Sequence, residues 1–217
     1  MTGKDRLLLA GHPHHLVRKS RDQKPVFLDE ADYTHCLGQI RALSQEYELA
    51  IHAFCLLPDG LHILATPLGD PGNLSRFMKA LSCSASSRRK RLHGATSVWE
   101  VRYRSSPVEP GQWMLACICY IERLPVTQRL ASSAYHYHRS SYRMRLGKTH
   151  QYWLEDPEEY TRLGGSIEDR AEAYRMYMSN GLDPHEEKMI DTAVKRCRLT
   201  GSRHFVREVY RKYGVLG

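Results

Sequence analysis

The spacing of apolar residues changes several times along the first hundred positions, and each change marks an element. LLLAGHPHHLVRKS reads as a strand and is followed by a loop containing Asp22 and Pro25. In DEADYTHCLGQIRALSQEYE, Tyr33, Cys36, Leu37, Ile40 and Leu43 recur three or four apart, the stripe of an amphipathic helix. LAIHAFCLL and LHILAT are apolar and partly β-branched, and Pro58-Asp59-Gly60 between them reads as a hairpin turn in which glycine supplies a positive φ. SRFMKALSCSASSRRKRL returns to helical spacing, with Asn73 or Ser75 as its cap, and SVWEVRYRSSPVE reads as a fourth strand. The order β-α-β-β-α-β predicts an α+β fold: a ferredoxin-like split sheet of four antiparallel strands with helices on one face.

Beyond this unit, GQWMLACICYIERLPV predicts a helix that starts after Pro110, carries Tyr120 in its last turns and ends before Pro125, because proline cannot continue the hydrogen-bond ladder. The Tyr- and His-rich basic segment SSAYHYHRSSYRMRLG follows. EDPEEYTRLGGSIEDRAEAYRMYM is then acidic and helical, and DPHEEKMIDTAVKRCRLTGSRHFVREVYRKYG predicts a helix, a turn at Thr200-Gly201-Ser202 and a short last helix. A soft boundary near residue 150 divides a core domain, 1–150, from a helical C-terminal extension, 151–217, and no internal repeat is evident.

Charge narrows the function classes. The 217 residues carry a formal net charge of +8, which favours an anionic partner. Arg88-Arg89-Lys90-Arg91 closes the second helix, and Arg102 and Arg104, two apart, are expected on one strand face with Trp99 and Tyr103 interleaved. Across Lys79 to Arg104 the one acidic residue is Glu100, unlike a mixed solubilising surface. Nucleic acid is the natural target, against a merely solvated basic face. No stretch approaches the length of a membrane span and the N-terminal apolar run is broken at once by His and Pro, so a cytoplasmic protein is expected. The six cysteines form no CxxC pair and read as buried free thiols.

One position in the hairpin bears on chemistry. On a strand, residues two apart share a face, so a histidine at 60 would stand beside His62 as a metal pair requires; position 60 is glycine. Taken alone, this is a turn glycine followed by a strand histidine without a metal.

GHPHHLV, LDEADYTHCLGQIR, HAFCLLPDGLHILAT, LSRFMKAL, VWEVRYRSS, LACICYIERLPV, SSYRMRLG and LTGSRHFVREV, in this order and spacing, resemble the REP-associated tyrosine transposases, relatives of the single-tyrosine HUH (IS200-like) transposases. The resemblance spans nearly the whole chain. It implies a ferredoxin-like core that binds single-stranded or hairpin DNA and cleaves it through a tyrosine, forming a 5′-phosphotyrosine with a divalent metal, Mg²⁺ or Mn²⁺, on the phosphate. Tyr120 stands where that family has its nucleophile; the bland alternative is a helix tyrosine packing on the sheet.

Two departures follow. The family's Pro-Asn-His-apolar-His is here Pro58-Asp59-Gly60-Leu61-His62, and the polar ligand expected four residues after the tyrosine is Leu124. A lone His62 holds a hard divalent ion poorly. Cys55, sharing the face of His62, His12 and His14 on the first strand, and Asp59 are the candidate replacements. The favoured expectation is a retired nuclease that binds DNA through Arg88, Arg89, Lys90, Arg91, Arg102, Tyr103, Arg104, Arg139 and Arg143. An active metal-dependent strand transferase is the alternative, and RNA binding ranks last. Arg196, Arg198, Arg203 and Arg207 are candidate phosphate contacts in the extension.

Overall fold

A computed structural model describes residues 6–94, 99–149 and 152–214. The predicted boundary at residue 150 and the predicted start of the fourth strand at Ser97 and Val98 lie outside the described residues.

Four antiparallel strands, β1 (His14–Lys19), β2 (Leu49–Leu57), β3 (Gly60–Pro67) and β4 (Arg104–Pro107), form one sheet in the order β2-β3-β1-β4. This is the split β-α-β arrangement that the apolar pattern predicts. Helices α1 (Glu30–Glu46) and α2 (Asn73–His93) cover one face, where Leu16, Phe54, Leu56, Leu61 and Ile63 meet Cys36, Ile40, Phe77 and Leu81. The other face presents Ala53, Cys55, Leu57 and Leu64 to α3 (Gln112–Thr127). Period-2 alternation thus feeds two cores, which is why β2 is buried at every position.

The chain after α3 closes both sheet edges. Beside β2, the Leu56 N–H donates to the Arg139 carbonyl and the Ser141 N–H to Phe54, so the outer strand has a partner. Short helices α4 (Tyr142–Arg145) and α5 (Glu158–Thr161) lead to α6 (Ile167–Asn180), whose Ser166 and Asp169 form a reciprocal capping box. Tyr160, Tyr174, Met178 and Ile190 of the C-terminal region share the core of α3. Beside β4, the Thr200 N–H donates to the Pro107 carbonyl, between α7 (Pro184–Lys195) and α8 (Arg203–Tyr213). Val209 on α8 then packs with Leu9 and Leu199.

Several local expectations are corrected. β1 begins only at His14, because Gly11 at φ 66° turns the chain before it. The cap of α2 is Gly72 rather than Asn73 or Ser75; the Asn73 amide oxygen accepts from Arg76, and Asp70 accepts from the Gly72 N–H. α3 runs through Pro125 to Thr127, since a proline in the last turn removes one bond while the carbonyls of Leu124 and Val126 still receive the Gln128 N–H. Arg102 lies in a bend, not on the strand face of Arg104, because β4 starts two residues later. Cys36, Cys55, Cys117 and Cys119 are buried, whereas Cys83 and Cys197 are exposed.

Gly60 departs from its expected role too. It has no positive φ; Pro58 and Asp59 make the turn, and Gly60 is the first residue of β3, paired with Lys19. A Cβ at this position would stand 2.3 Å from the Arg18 carbonyl oxygen. Glycine is required by the close approach of β1.

Candidate active site and nucleic-acid interface

The register of the three inner strands decides which side chains can meet. Cys55 opposes His62 across β2 and β3, and His15 opposes Leu64 across β1 and β3, so His15, His62 and Cys55 face α3 together. His15 Nε2 and His62 Nδ1 lie 3.0 Å apart, within hydrogen-bond distance. The His15 ring meets the Tyr120 ring edge-on with centroids 5.8 Å apart. The Tyr120 hydroxyl donates to Asp191 Oδ1 of α7 at 3.3 Å, and Lys195 Nζ donates to Asp191 Oδ2 at 2.7 Å. A tyrosine, two imidazoles and a carboxylate therefore gather between the sheet and α7.

All three aromatic groups are withdrawn from water. His15 is fully buried, and His62 and Tyr120 are 4 and 8 % exposed. Burial pulls the His15 pKa down to about 3, against the opposing charge of Asp191, and pushes His62 well below its ordinary value, helped by His15 and Lys19. Both imidazoles are neutral at neutral pH. Burial, reinforced by the charge of Asp191, raises the Tyr120 pKa well above that of a free phenol. A nucleophile needs the opposite shift.

A neutral imidazole has one N–H and one lone pair. One mutual hydrogen bond therefore leaves one of each without a partner, and His15 Nδ1 and His62 Nε2 are buried and unpartnered. Two nitrogens 3.0 Å apart match adjacent positions on an octahedral ion that holds each at roughly 2.1 Å. The remaining ligands fail the fit. The position one turn after Tyr120 is Leu124, buried and apolar, and Asp191 is engaged by Tyr120 and Lys195. Two imidazoles with no free oxygen do not suit Mg²⁺ or Mn²⁺.

The proposed replacements are placed elsewhere. His14 uses both ring nitrogens locally, on the Leu9 N–H and the His12 carbonyl, and His12 bonds the Ala10 carbonyl. Asp59 pairs with Lys19 at 3.4 Å. Cys55 does face the pair, but burial holds its thiol protonated far above the ordinary range. Among the described residues, the one group of three or more metal-type side chains is Asp29, Asp32 and His93, at the α1–α2 junction on the other face of the sheet. There Asp29 caps α1 and Asp32 is paired with Arg88, so the carboxylates already serve the helix ends.

The basic residues divide into two kinds. Arg88 ion-pairs with the buried Asp32 at 2.8 Å, and Arg89 donates to the Pro25 and Val26 carbonyls, pinning α2 to the start of α1. Arg104 is bidentate to Glu100. Arg139 pairs with Glu30 and stacks 3.7 Å over Tyr33. Tyr103 is buried, its hydroxyl bonded to Ser75 at 2.7 Å. Lys90, Arg91 and Arg102 are exposed, and Arg143 lies over Tyr135 beside His138.

Three important residues escaped the sequence reading. His15 was hidden by parity: of the adjacent pair His14 and His15 only one can face α3, and the register alone says which. Asp191 comes from a helix 71 positions beyond Tyr120, and no local pattern announces it. Glu122 is fully buried under the same helix, accepting from Ser141 at 2.6 Å, Tyr174 at 2.7 Å and Arg145 at 3.3 Å. Arg145, also buried, reaches Asp156 at 3.0 Å and the His52 carbonyl, so this network clamps α3 to the C-terminal region.

No protein-family profile matches the chain, and no curated protein matches it. Its fold is similar to that of a REP-associated tyrosine transposase bound to a REP hairpin, with a TM-score of 0.58 and 17% identity over 72% of this chain and 93% of that one. A putative transposase from Deinococcus radiodurans R1 is a more distant neighbour, with a TM-score of 0.38 and 19% identity over 59% of this chain and 95% of that one. The fold is the one that the sequence resemblance implies. Among the described residues no helix is long and apolar enough to cross a membrane.

Proposed function

We propose that the chain is a transposase-like DNA-binding protein of the REP-associated tyrosine kind, which recognises single-stranded or hairpin DNA and has lost efficient strand cleavage. The observation that carries the reading is the make-up of the cluster around Tyr120. Its phenol faces the Asp191 carboxylate, its ring meets His15, which is itself bonded to His62, both imidazoles being buried and neutral, and Leu124 offers no ligand. A divalent ion is a cofactor of the active alternative, not of this one. The fold shared with a hairpin-bound transposase and the surplus of positive charge support DNA as partner.

The test is binding of labelled hairpin, single-stranded and random duplex DNA over a series of salt concentrations. The reading predicts a hairpin or single-strand preference that survives added salt while overall affinity falls steeply. Equal affinity for random duplex at every salt concentration contradicts it.

One observation favours the alternative, a strand transferase forming a 5′-phosphotyrosine through Tyr120. Asp191 Oδ1, 3.3 Å from the phenol oxygen, stands where a general base would take its proton.

A further inference from the structure

Four cations converge in a place that the basic run at Arg88–Arg91 does not mark. Between α2 and the bend before β4 lies an open cleft of about 440 Å³, lined by Arg6, Arg18, Lys79 and Arg102 together with Ser75 and Tyr103. This volume falls in the range of small-ligand sites, roughly 300–1,000 Å³. Among the described residues, none of these four cations is ion-paired to a carboxylate. The adjacent carboxylate, Glu100, is taken by Arg104 through both oxygens.

The cleft is built rather than incidental. Arg6 is held by donating to the Tyr103 carbonyl at 3.2 Å and by lying 4.0 Å over the Tyr103 ring, which Ser75 fixes from behind. Arg18 extends from β1 beside Trp99, and its Nε is buried without a partner. Burial, with the like charge of Arg6 added, pulls the Arg18 pKa below the ordinary guanidinium value. Two cations placed side by side with an orphaned donor are destabilising alone, and an anion between them relieves both penalties. Arg18 pairs with Leu61 in the register, on the α1–α2 face, so the cleft lies across the sheet from Tyr120.

We infer that this cleft is a phosphate site that seats a phosphodiester of the bound DNA strand, with Arg6 and Arg18 as its fixed base and Lys79 and Arg102 as its exposed arms. The assignment rests on the DNA-binding reading above. It identifies a contact independent of the tyrosine and distinct from the Arg88–Arg91 run, two of whose members are committed to holding α2 in place.

The experiment is fluorescence anisotropy of labelled hairpin DNA against the full chain over a salt series. It compares wild type, the double variant K79Q/R102Q, and the double variant K90Q/R91Q, which removes the same charge from exposed positions of the basic run. Both pairs are exposed, so all three proteins should melt alike. Expected is a loss of about tenfold or more for K79Q/R102Q, with the salt slope shallower by about 1.4–1.8, and a loss under about threefold for K90Q/R91Q. R18Q, which keeps both arms, should weaken binding as well. Wild-type binding with K79Q/R102Q unchanged, or equal losses in the two doubles, overturns the cleft alone. Failure of the wild type to bind hairpin DNA overturns the DNA-binding reading and the cleft with it.

Discussion

His15 Nε2 and His62 Nδ1 stand 3.0 Å apart on adjacent antiparallel strands, two neutral imidazoles sealed beneath the helix that carries Tyr120. The second histidine of the cluster thus comes from β1, not from position 60.

Gly60 cannot be made a ligand by substitution. Its missing Cβ would meet the Arg18 carbonyl at 2.3 Å, and backbone cannot swing aside as a side-chain tip can. Gly60→His should cost about 2 kcal/mol or more in denaturant unfolding, with no gain in Mn²⁺ affinity by calorimetry. An unchanged midpoint would show that β1 yields easily.

The buried histidines also predict a pH dependence. His14 and His52 are held down to about 4 and His15 to about 3, chiefly by burial. The unfolded chain takes up these protons near pH 6.5 while the folded chain does not. The resulting contribution is complete above about pH 6.5 and is lost as the pH falls toward 4 and then 3, by up to about 1.4 kcal/mol per pH unit for each group. Urea unfolding at stepped pH measures this slope. His15→Asn should make it shallower by up to one proton, and an unaltered slope would mean that His15 titrates normally.

Glu122 sits among Ser141, Arg145 and Tyr174 with no exposure to solvent. Among the described residues, Glu122→Gln leaves the buried Arg145 with Asp156 as its one remaining acidic partner. Thermal or urea unfolding should show a loss of about 3 kcal/mol or more. A loss below about 1 kcal/mol would mean that the network relaxes around the amide.

Arg88 separates folding from recognition. Its ion pair with the largely buried Asp32 predicts that Arg88→Gln lowers stability by about 1–3 kcal/mol, whereas Arg91→Gln, at an exposed site, leaves it within about 0.5 kcal/mol. Equal stabilities for the two variants would return Arg88 to the candidate DNA contacts.

The elements and their order were legible in the sequence because apolar period changes sharply at each boundary, as from Leu43 to Leu49 and from Pro67 to Leu74. Tyr120, singled out by the family resemblance, and His62, singled out by strand spacing, lie in one buried cluster with His15. What escaped depends on register or on distant chain. Strand parity hides which of His14 and His15 faces α3, Asp191 and Arg145 arrive from helices with no local cue, and Gly60 looks like a turn residue until the approach of β1 is known. Which members of the basic run are already engaged is hidden in the same way. Charge density along the chain does not reveal that Arg88 reaches Asp32 of α1 and Arg89 the Pro25 and Val26 carbonyls before it, while Arg6, Arg18, Lys79 and Arg102 converge from four separate segments.

Binding without efficient cleavage is tested by incubating labelled hairpin DNA with the protein and Mg²⁺ or Mn²⁺ and running native and denaturing gels beside a Tyr120→Phe control. Expected are a hairpin-specific shift on the native gel and no protein-linked DNA on the denaturing one, with the control identical. A covalent protein–DNA band that disappears in Tyr120→Phe would contradict it, and would place Tyr120 and Asp191 in a working active site.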